Sequence, residues 1–308
     1  VAWTHVAHGA SNEVCAAGEV QSDEGVRSGS PSLLQTSQNR GHVVDVRDVH
    51  DVKPLPKPAL VLNKSLANEG PSNTSLVDSY RQCSVTNVRH GQKLTAVSVL
   101  PSRGSMFVHI FKNGGTSVCE KVITLGGDCF DNYGWRMQGL VQMEEFFDAS
   151  WFRTAVVRNP MSRVVSSFNE VRRRSATPTN TTADMLRSLA LILKTMEENP
   201  TQNPETIVSH GQHFQSQTQF MLDDQGNKLP MDYIGQLTDL QDEVAFILGA
   251  PNLTLEFRHG PTHANETLLL HEIDLSVEVQ QAVCRVYRDD YCCLGFDWPE
   301  ACRGDVAC

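Results

Sequence analysis

The sequence predicts an α/β fold in which a central, mainly parallel sheet is flanked by helices. Two observations lead to this prediction. Short apolar segments that are typical of buried strands alternate with longer amphipathic segments that are typical of helices. The chain also has 308 residues, 40% of them hydrophobic, which is enough to bury the core of one large domain or two modest ones.

The first third of the chain differs in composition from the rest. Residues 1–104 are rich in Ser, Asn, Gly and Pro and contain only short apolar segments, such as residues 59–62. We expect them to form a poorly ordered stem or linker, and the alternative is a folded region that begins near Tyr80. Residues 105–308 are expected to form the folded domain, with a cysteine-rich C-terminal end.

The domain is expected to begin with a buried strand over 106–111 and a helix over 117–123. A second strand is expected over 154–157. It leads into a helix from Met161 to about Arg174, with Pro160 in its first turn. Further helices are expected over 185–198, 239–249 and 277–291.

Cysteine usage indicates disulfides. The chain has nine cysteines, and the adjacent pair Cys292 and Cys293 does not fit the spacing of zinc ligands, so no metal site is expected. The sequence leaves the pairing open, and an odd number leaves at least one thiol free or paired between chains. Five cysteines lie near the C-terminus: Cys284, Cys292, Cys293, Cys302 and Cys308.

Five N-x-S/T sequons beside these cysteines favour a glycoprotein of the secretory pathway. No stretch approaches the roughly 20 apolar residues of a membrane helix, so we expect any membrane anchor to lie outside the given chain. The formal charge of −10 is concentrated in residues 106–308, which argues against nucleic acid as a partner. The sequons are at Asn63, Asn73, Asn180, Asn252 and Asn265.

Residues 106–118, MFVHIFKNGGTSV, place a glycine-containing polar turn between a strand and a helix. Backbone N–H groups at a helix N-terminus bind phosphate, and glycines allow close approach of an anion. Lys112 adds a positive charge, and hydroxyl groups follow the glycines. The residues expected to contact phosphate are Lys112, Asn113, Gly114, Gly115, Thr116 and Ser117.

A second strand-to-helix junction, VVRNPMSRVVSSF at 156–168, carries an arginine at the strand end. A guanidinium group matches phosphate geometry, and a serine in the first turns of the helix can donate a second hydrogen bond. We expect Arg158 and Ser166 to fill these roles, with Arg163 as a further candidate. About 40 residues separate the two junctions, enough for a crossover between neighbouring parallel strands, whose carboxyl ends form ligand sites in open α/β sheets.

The two segments together resemble the nucleotide-binding motifs of the sulfotransferase family, which uses 3′-phosphoadenosine 5′-phosphosulfate (PAPS) as donor. The resemblance covers about residues 105–298 and implies a P-loop-like three-layer domain. It also implies that residues 112–117 bind the 5′-phosphosulfate, and that Arg158 and Ser166 bind the 3′-phosphate. No metal is implied as a cofactor.

Later segments are similar to the Golgi carbohydrate sulfotransferases. HFQSQ at 213–217 resembles a His-aromatic-x-x-Gln element of that branch, and DYIG at 232–235 resembles a strand that precedes a helix. THANET at 262–267 and VYRDDYCCLGF at 286–296 resemble its closing elements. The resemblance therefore implies a carbohydrate or other hydroxyl-bearing acceptor, and a Golgi or secretory location, with a type II membrane anchor absent here.

In-line sulfuryl transfer depends on positioning and on charge stabilisation. Lys112 is the candidate that stabilises the leaving phosphate, and His210 and His213 are candidate catalytic bases. Three acidic residues are further candidates for the base, or they form the solvent face of a helix: Glu144, Glu145 and Asp148. His109 is interpreted as a core residue and His263 as a surface residue or acceptor contact. The arginines at 172–174 form a solvated helix end or attract an anionic sugar chain.

The sequence predicts a PAPS-dependent sulfotransferase that acts on a carbohydrate hydroxyl. The alternatives are a sulfotransferase of the same fold for small molecules, a binding protein without catalysis, and a P-loop kinase-like nucleotide-binding protein. The last fits less well because the lysine precedes the glycines, whereas a Walker motif places it after them.

Overall fold

A computed structural model of the chain describes residues 75–86, 88, 97–129, 146–175, 181–223, 225–249, 268–304 and 306–308. All of these residues belong to one compact unit, Val46–Cys308.

Four strands and eight α-helices are present in these ranges. The strands are β1 Val97–Leu100, β2 Ser105–Val108, β3 Phe152–Val157 and β4 Tyr233–Gln236. The helices are α1 Ser75–Gln82, α2 Gly115–Thr124, α3 Pro160–Ser175, α4 Thr182–Glu198, α5 Gln217–Phe220, α6 Leu240–Ile247, α7 Val277–Val286 and α8 Arg288–Leu294. Short 3-10 helices cover Pro101–Arg103, Pro204–Thr206, Gly211–Phe214, Leu237–Asp239, Glu272–Asp274 and Glu300–Cys302.

The strands form one sheet in the order β1-β2-β3-β4. β1 pairs antiparallel with β2, whereas β2 with β3 and β3 with β4 are parallel pairs. The register of the central pair aligns Ser105 with Phe152 and Val108 with Ala155. The prediction of an α/β fold with a mainly parallel sheet is confirmed.

Side chains alternate between the two faces of the sheet and bury a core on each. Met106 and Val108 face a core that includes residues of α1 and α8, while Phe107 faces a core that includes residues of α2 and α6. Helices therefore cover both faces, and the domain has three layers.

Several element boundaries differ from the predicted ones. β2 ends three residues earlier than expected, at Val108, and the helix after the turn begins two residues earlier, at Gly115, so the connection moves toward the N-terminus and is one residue longer than expected. The single helix expected over 277–291 is divided at Tyr287 into α7 and α8. The Tyr287 side chain is buried and its hydroxyl donates to the Phe214 carbonyl at 2.6 Å, a long-range contact that local sequence patterns do not reveal.

The folded part of the chain begins before the expected boundary at residue 105. α1 and β1 precede that boundary, and Leu76, Val77 and Tyr80 are buried in the core. The Tyr80 hydroxyl donates to the Met221 carbonyl. The described structure therefore already includes a helix that begins at Ser75. Residues 1–74 lie outside the described residues, and a stem there stays a prediction.

Four disulfides join eight of the nine cysteines. They pair Cys83 with Cys293, Cys119 with Cys129, Cys284 with Cys302, and Cys292 with Cys308. Cys15 and the five sequon asparagines lie outside the described residues. Within the ranges given above, no helix combines the length and the apolar character that crossing a membrane requires.

The Cys83–Cys293 disulfide, which joins α1 to α8, should contribute more stability than Cys119–Cys129. It spans 210 residues against 10, and a longer loop loses more entropy when it is closed in the unfolded chain. Replacing both cysteines by alanine should lower the free energy of unfolding by about 5 kcal/mol for the long loop and about 3 kcal/mol for the short one. Denaturant unfolding measures both losses. Equal losses, or a smaller loss for Cys83–Cys293, would contradict the predicted dependence on loop length.

Candidate functional site

The parallel pairing of β2 with β3 brings the two strand-to-helix junctions side by side. The turn after β2 and the residue that follows β3 lie at the same edge of the sheet. Arg158 Nη1 donates to the backbone carbonyl of Lys112 at 3.4 Å. The two predicted phosphate-binding segments therefore border one site.

The turn after β2 has left-handed backbone conformations at Lys112, with φ 70°, and at Gly114, with φ 79°. Such a conformation is unfavourable for a lysine, and strained residues of this kind cluster at functional sites.

Neighbouring side chains pack closely against the two glycines of the turn. A Cβ atom on Gly114 would lie 2.7 Å from Leu240 Cδ2, and one on Gly115 would lie 1.7 Å from His109 Cδ2. The structure thus gives the glycines a packing role, and their close approach to an anion stays a prediction. His109 is buried, as expected for a core residue.

The N-terminus of α2 lies directly after the turn. Gly114 is its N-cap, and no side chain caps the helix there. The first backbone N–H groups of a helix have no partner within it, and the positive end of the helix dipole attracts an anion. Thr116 is exposed and Ser117 is half-buried. Asn113, by contrast, is fully buried and donates to the Val156 carbonyl at 2.9 Å.

Arg158 is held at the start of α3 by Ser162. Its Nε and Nη2 atoms donate to Ser162 Oγ at 3.0 and 2.8 Å. Burial lowers the pKa of the guanidinium, and the charge of Glu272 opposes this effect. The side chain is therefore fixed on one serine hydroxyl beside the turn at Lys112.

One face of α3 looks onto both junctions. Ser162, Ser166 and Glu170 are four residues apart and share that face. Ser162 contacts Arg158, and Glu170 Oε2 lies 3.5 Å from Lys112 Nζ. Ser166 is half-buried between these two partners, which is compatible with its expected role.

Glu170 is the centre of a cluster of cations that the sequence did not predict. It accepts hydrogen bonds from Arg173 Nη2 and Arg174 Nε, in addition to its ion pair with Lys112. Burial alone would raise the pKa of Glu170, but the hydrogen bond from Arg173 and the charge of Lys112 outweigh it and lower the pKa well below its usual range. The positions Glu170, Arg173 and Arg174 have the spacing of ion pairs on a helix, a signal that the sequence did contain.

Lys112 is half-buried at this cluster. Burial lowers the pKa of its ammonium group, while the neighbouring carboxylate of Glu170 acts in the opposite direction.

The family comparison agrees with this geometry. The model of the sulfotransferase family matches residues 106–297, which is more than half of the chain and includes both junctions. The chain belongs to the sulfotransferase family. Comparisons with curated proteins and with solved structures returned no match. As a member of this family, the chain is a transferase of the class that moves sulfuryl groups to hydroxyl-bearing acceptors.

The two candidate bases of this sulfotransferase occupy different environments. His210 is half-buried, with a left-handed backbone of φ 60°. His213 is buried, its ring centroid is 4.8 Å from that of Phe111, and neither ring nitrogen has a hydrogen-bond partner. Burial, together with the charges of Arg174 and Lys112, lowers the pKa of His213 to about 3. His213 therefore lies in the core as a neutral imidazole, and its two unsatisfied nitrogens are unusual for a buried polar group.

The remaining candidates are less close to the two turns or are engaged elsewhere. Arg163 is fully buried and donates to the carbonyls of Phe111 and His213 at 3.0 and 3.3 Å. Arg172 donates to the Leu268 carbonyl. Asp148 is exposed and accepts the Ser150 N–H at 2.8 Å. Glu144, Glu145 and His263 lie outside the described residues. In the part of the chain that the structure covers, no cluster of side chains suits a metal ion.

His213 should make the protein sensitive to acid. Its pKa of about 3 lies below the ordinary value of 6.5, so the unfolded chain binds one more proton between these pH values. The contribution of His213 to the free energy of unfolding is fully present above pH 6.5. It should fall by about 1.4 kcal/mol per pH unit as the pH decreases through this window.

His213→Phe should remove this dependence, because a ring without nitrogens packs in the same place. His210→Asn is the control, since asparagine tolerates the left-handed backbone. The measurement is the free energy of unfolding from pH 7 to pH 4. An unchanged slope in His213→Phe would contradict the assignment of a neutral, buried imidazole.

Proposed function

We propose that the chain is a PAPS-dependent sulfotransferase that transfers a sulfuryl group to a hydroxyl of a carbohydrate acceptor in the Golgi or secretory lumen. The observation that supports it most strongly is the adjacency of the two junctions, with Arg158 Nη1 3.4 Å from the Lys112 carbonyl. A donor with phosphate groups at both its 3′ and 5′ positions needs two such anion sites within the reach of one nucleotide.

The donor set fits this ligand. The N-terminus of α2, with Thr116 and Ser117, offers N–H and hydroxyl groups to the 5′-phosphosulfate. Arg158 and Ser166 offer a guanidinium and a hydroxyl group to the 3′-phosphate. Arg158 keeps two donor atoms on Ser162, a neutral partner that an anion can replace. PAPS supplies an activated sulfuryl group on a phosphate leaving group.

Lys112 is proposed to stabilise the charge that develops on the leaving phosphate. Its ion pair with Glu170 keeps the ammonium group beside the turn. Glu170 also binds Arg173 and Arg174, so the local positive charges are only partly neutralised. The side chain can therefore move to a second anion without leaving Glu170 unpaired.

The acceptor hydroxyl needs a base that removes its proton. His210 and His213 stay candidates, and the environment of His213 makes it the weaker one, because a pKa of about 3 gives a poor proton acceptor.

The carbohydrate acceptor is supported by the resemblance of residues 213–249 to the Golgi branch. Arg173 and Arg174, which were candidates for attracting an anionic chain, are engaged with Glu170. They offer less free charge than the sequence indicated. The lumenal location is supported by the four disulfides, which form and persist in oxidising compartments.

A transfer assay with radiolabelled PAPS tests the function directly. The panel of acceptors should contain oligosaccharides and small alcohols. We expect label in an oligosaccharide product. Labelling of small alcohols alone would overturn the carbohydrate assignment, and phosphate transfer from ATP without any transfer from PAPS would overturn the proposal.

Arg158→Ala should weaken the binding of adenosine 3′,5′-bisphosphate by about 10- to 100-fold, because a charged hydrogen bond to the 3′-phosphate is lost. The binding of adenosine 5′-monophosphate should weaken much less. Ser162→Ala removes the serine partner but keeps the guanidinium, and it is the matched control. Isothermal titration calorimetry gives the six affinities of the wild type and the two variants for both ligands. Equal losses for both ligands in Arg158→Ala would contradict the 3′-phosphate assignment.

Lys112→Ala should lower turnover by about 100-fold or more, as expected when a charge that stabilises the transition state is removed. Lys194→Ala is the control, because this exposed lysine also pairs with a glutamate, Glu198, at 3.8 Å. Steady-state kinetics and thermal unfolding are measured together. A turnover near that of the wild type in a folded Lys112→Ala protein would exclude the catalytic role.

A further inference from the structure

The side chain of Gln217 connects the two junctions. Gln217 is the first residue of α5 and is fully buried. Its Oε1 accepts hydrogen bonds from Asn113 Nδ2 at 2.7 Å and from the Arg158 backbone N–H at 2.8 Å. Its Nε2 donates to the Arg158 carbonyl at 2.7 Å. One amide group thus binds the turn after β2 and the residue after β3 at the same time.

A buried carboxylate anchors the backbone at Gln217. Asp290 of α8 is fully buried and accepts the backbone N–H groups of Gln217 and Thr218, each at 2.9 Å. It also accepts the Thr218 hydroxyl at 3.0 Å. The start of α5 is therefore anchored to the C-terminal part of the core, where Cys292 and Cys293 form disulfides.

A second contact between the junctions runs from Arg158 Nη1 to the Lys112 carbonyl, and it is longer, at 3.4 Å. Its donor is also the group that is proposed to bind the 3′-phosphate. When Arg158 turns toward a phosphate, the bonds of Gln217 remain, because they involve the Arg158 backbone and the Asn113 side chain.

We propose that Gln217 is a positioning residue that fixes the separation of the two phosphate subsites, so that one nucleotide occupies both at once. This inference rests on the proposed function. Gln217 acts through Asn113 and Arg158 and needs no contact with the ligand. It also gives a physical reason for the glutamine in the His-aromatic-x-x-Gln element at 213–217.

The test compares three ligands: adenosine 3′,5′-bisphosphate and the two monophosphates, adenosine 5′-phosphate and adenosine 3′-phosphate. In Gln217→Ala, each monophosphate should lose less than about threefold in affinity, since each needs only one subsite. The bisphosphate should lose about 30-fold or more, because the advantage of binding both ends together depends on their spacing. The kcat for transfer from PAPS should fall more than the acceptor KM rises.

Two further variants complete the experiment. Gln217→Glu has nearly the same shape and keeps the acceptor for Asn113, but it loses the donor to the Arg158 carbonyl. Its losses of affinity should therefore follow the same order among the three ligands. Gln280→Ala is the matched control. Gln280 lies in α7, away from both junctions, and its Nε2 donates to the Leu275 carbonyl at 3.0 Å. It should weaken no ligand. Thermal unfolding shows which variants are folded, and Gln217→Glu carries the comparison if the alanine variant is not.

The outcomes separate the inference from the function on which it rests. If the wild-type protein binds the bisphosphate no more tightly than the monophosphates, the proposed function fails. If the wild-type protein shows the preference and the folded Gln217 variants keep it, with all three ligands weakened equally or not at all, Gln217 only supports the fold and the inference is wrong.

Discussion

The parallel pairing of β2 with β3 is the constraint on which the site depends. It places two strand ends at one edge of the sheet, so that the N-terminus of α2 and the N-terminus of α3 point toward the same space. Helices on both faces hold these strands in a three-layer core. Gln217 then joins the two ends with hydrogen bonds that local chain geometry alone would not provide.

The charges at this edge are balanced so that positive groups remain for a ligand. Glu170 is surrounded by Lys112, Arg173 and Arg174 and stays ionised because of them. One buried carboxylate neutralises the charge of one cation. Three cations around one carboxylate therefore leave an excess of positive charge. Another buried acid, Asp290, caps the N-terminus of a helix. Burial raises its pKa, and Arg163 and backbone N–H groups act in the opposite direction. The positive excess around Glu170 lies beside the turn after β2.

The sequence predicted the parts of the fold that are encoded locally. The apolar strands, the glycine turn and Pro160 at the start of α3 are short-range signals, and the helix and strand types over 106–175 are confirmed. β1 was missed because it has only four residues, and its pairing with β2 and its packing against the helices are not visible in the local sequence pattern. Gln217 had no visible role because its partners lie 104 and 59 residues away. The pairing of the eight disulfide-bonded cysteines likewise depends on the fold and not on spacing.

We propose that two neighbouring strand ends form a single site for a nucleotide with phosphates at both its 3′ and 5′ positions. A crystal structure with adenosine 3′,5′-bisphosphate would show whether they do. We expect the 5′-phosphate at the N-terminus of α2, beside Lys112 and Thr116, and the 3′-phosphate against Arg158 and Ser166. A nucleotide that binds elsewhere, or that leaves one of these two strand ends without a phosphate, would contradict this proposal.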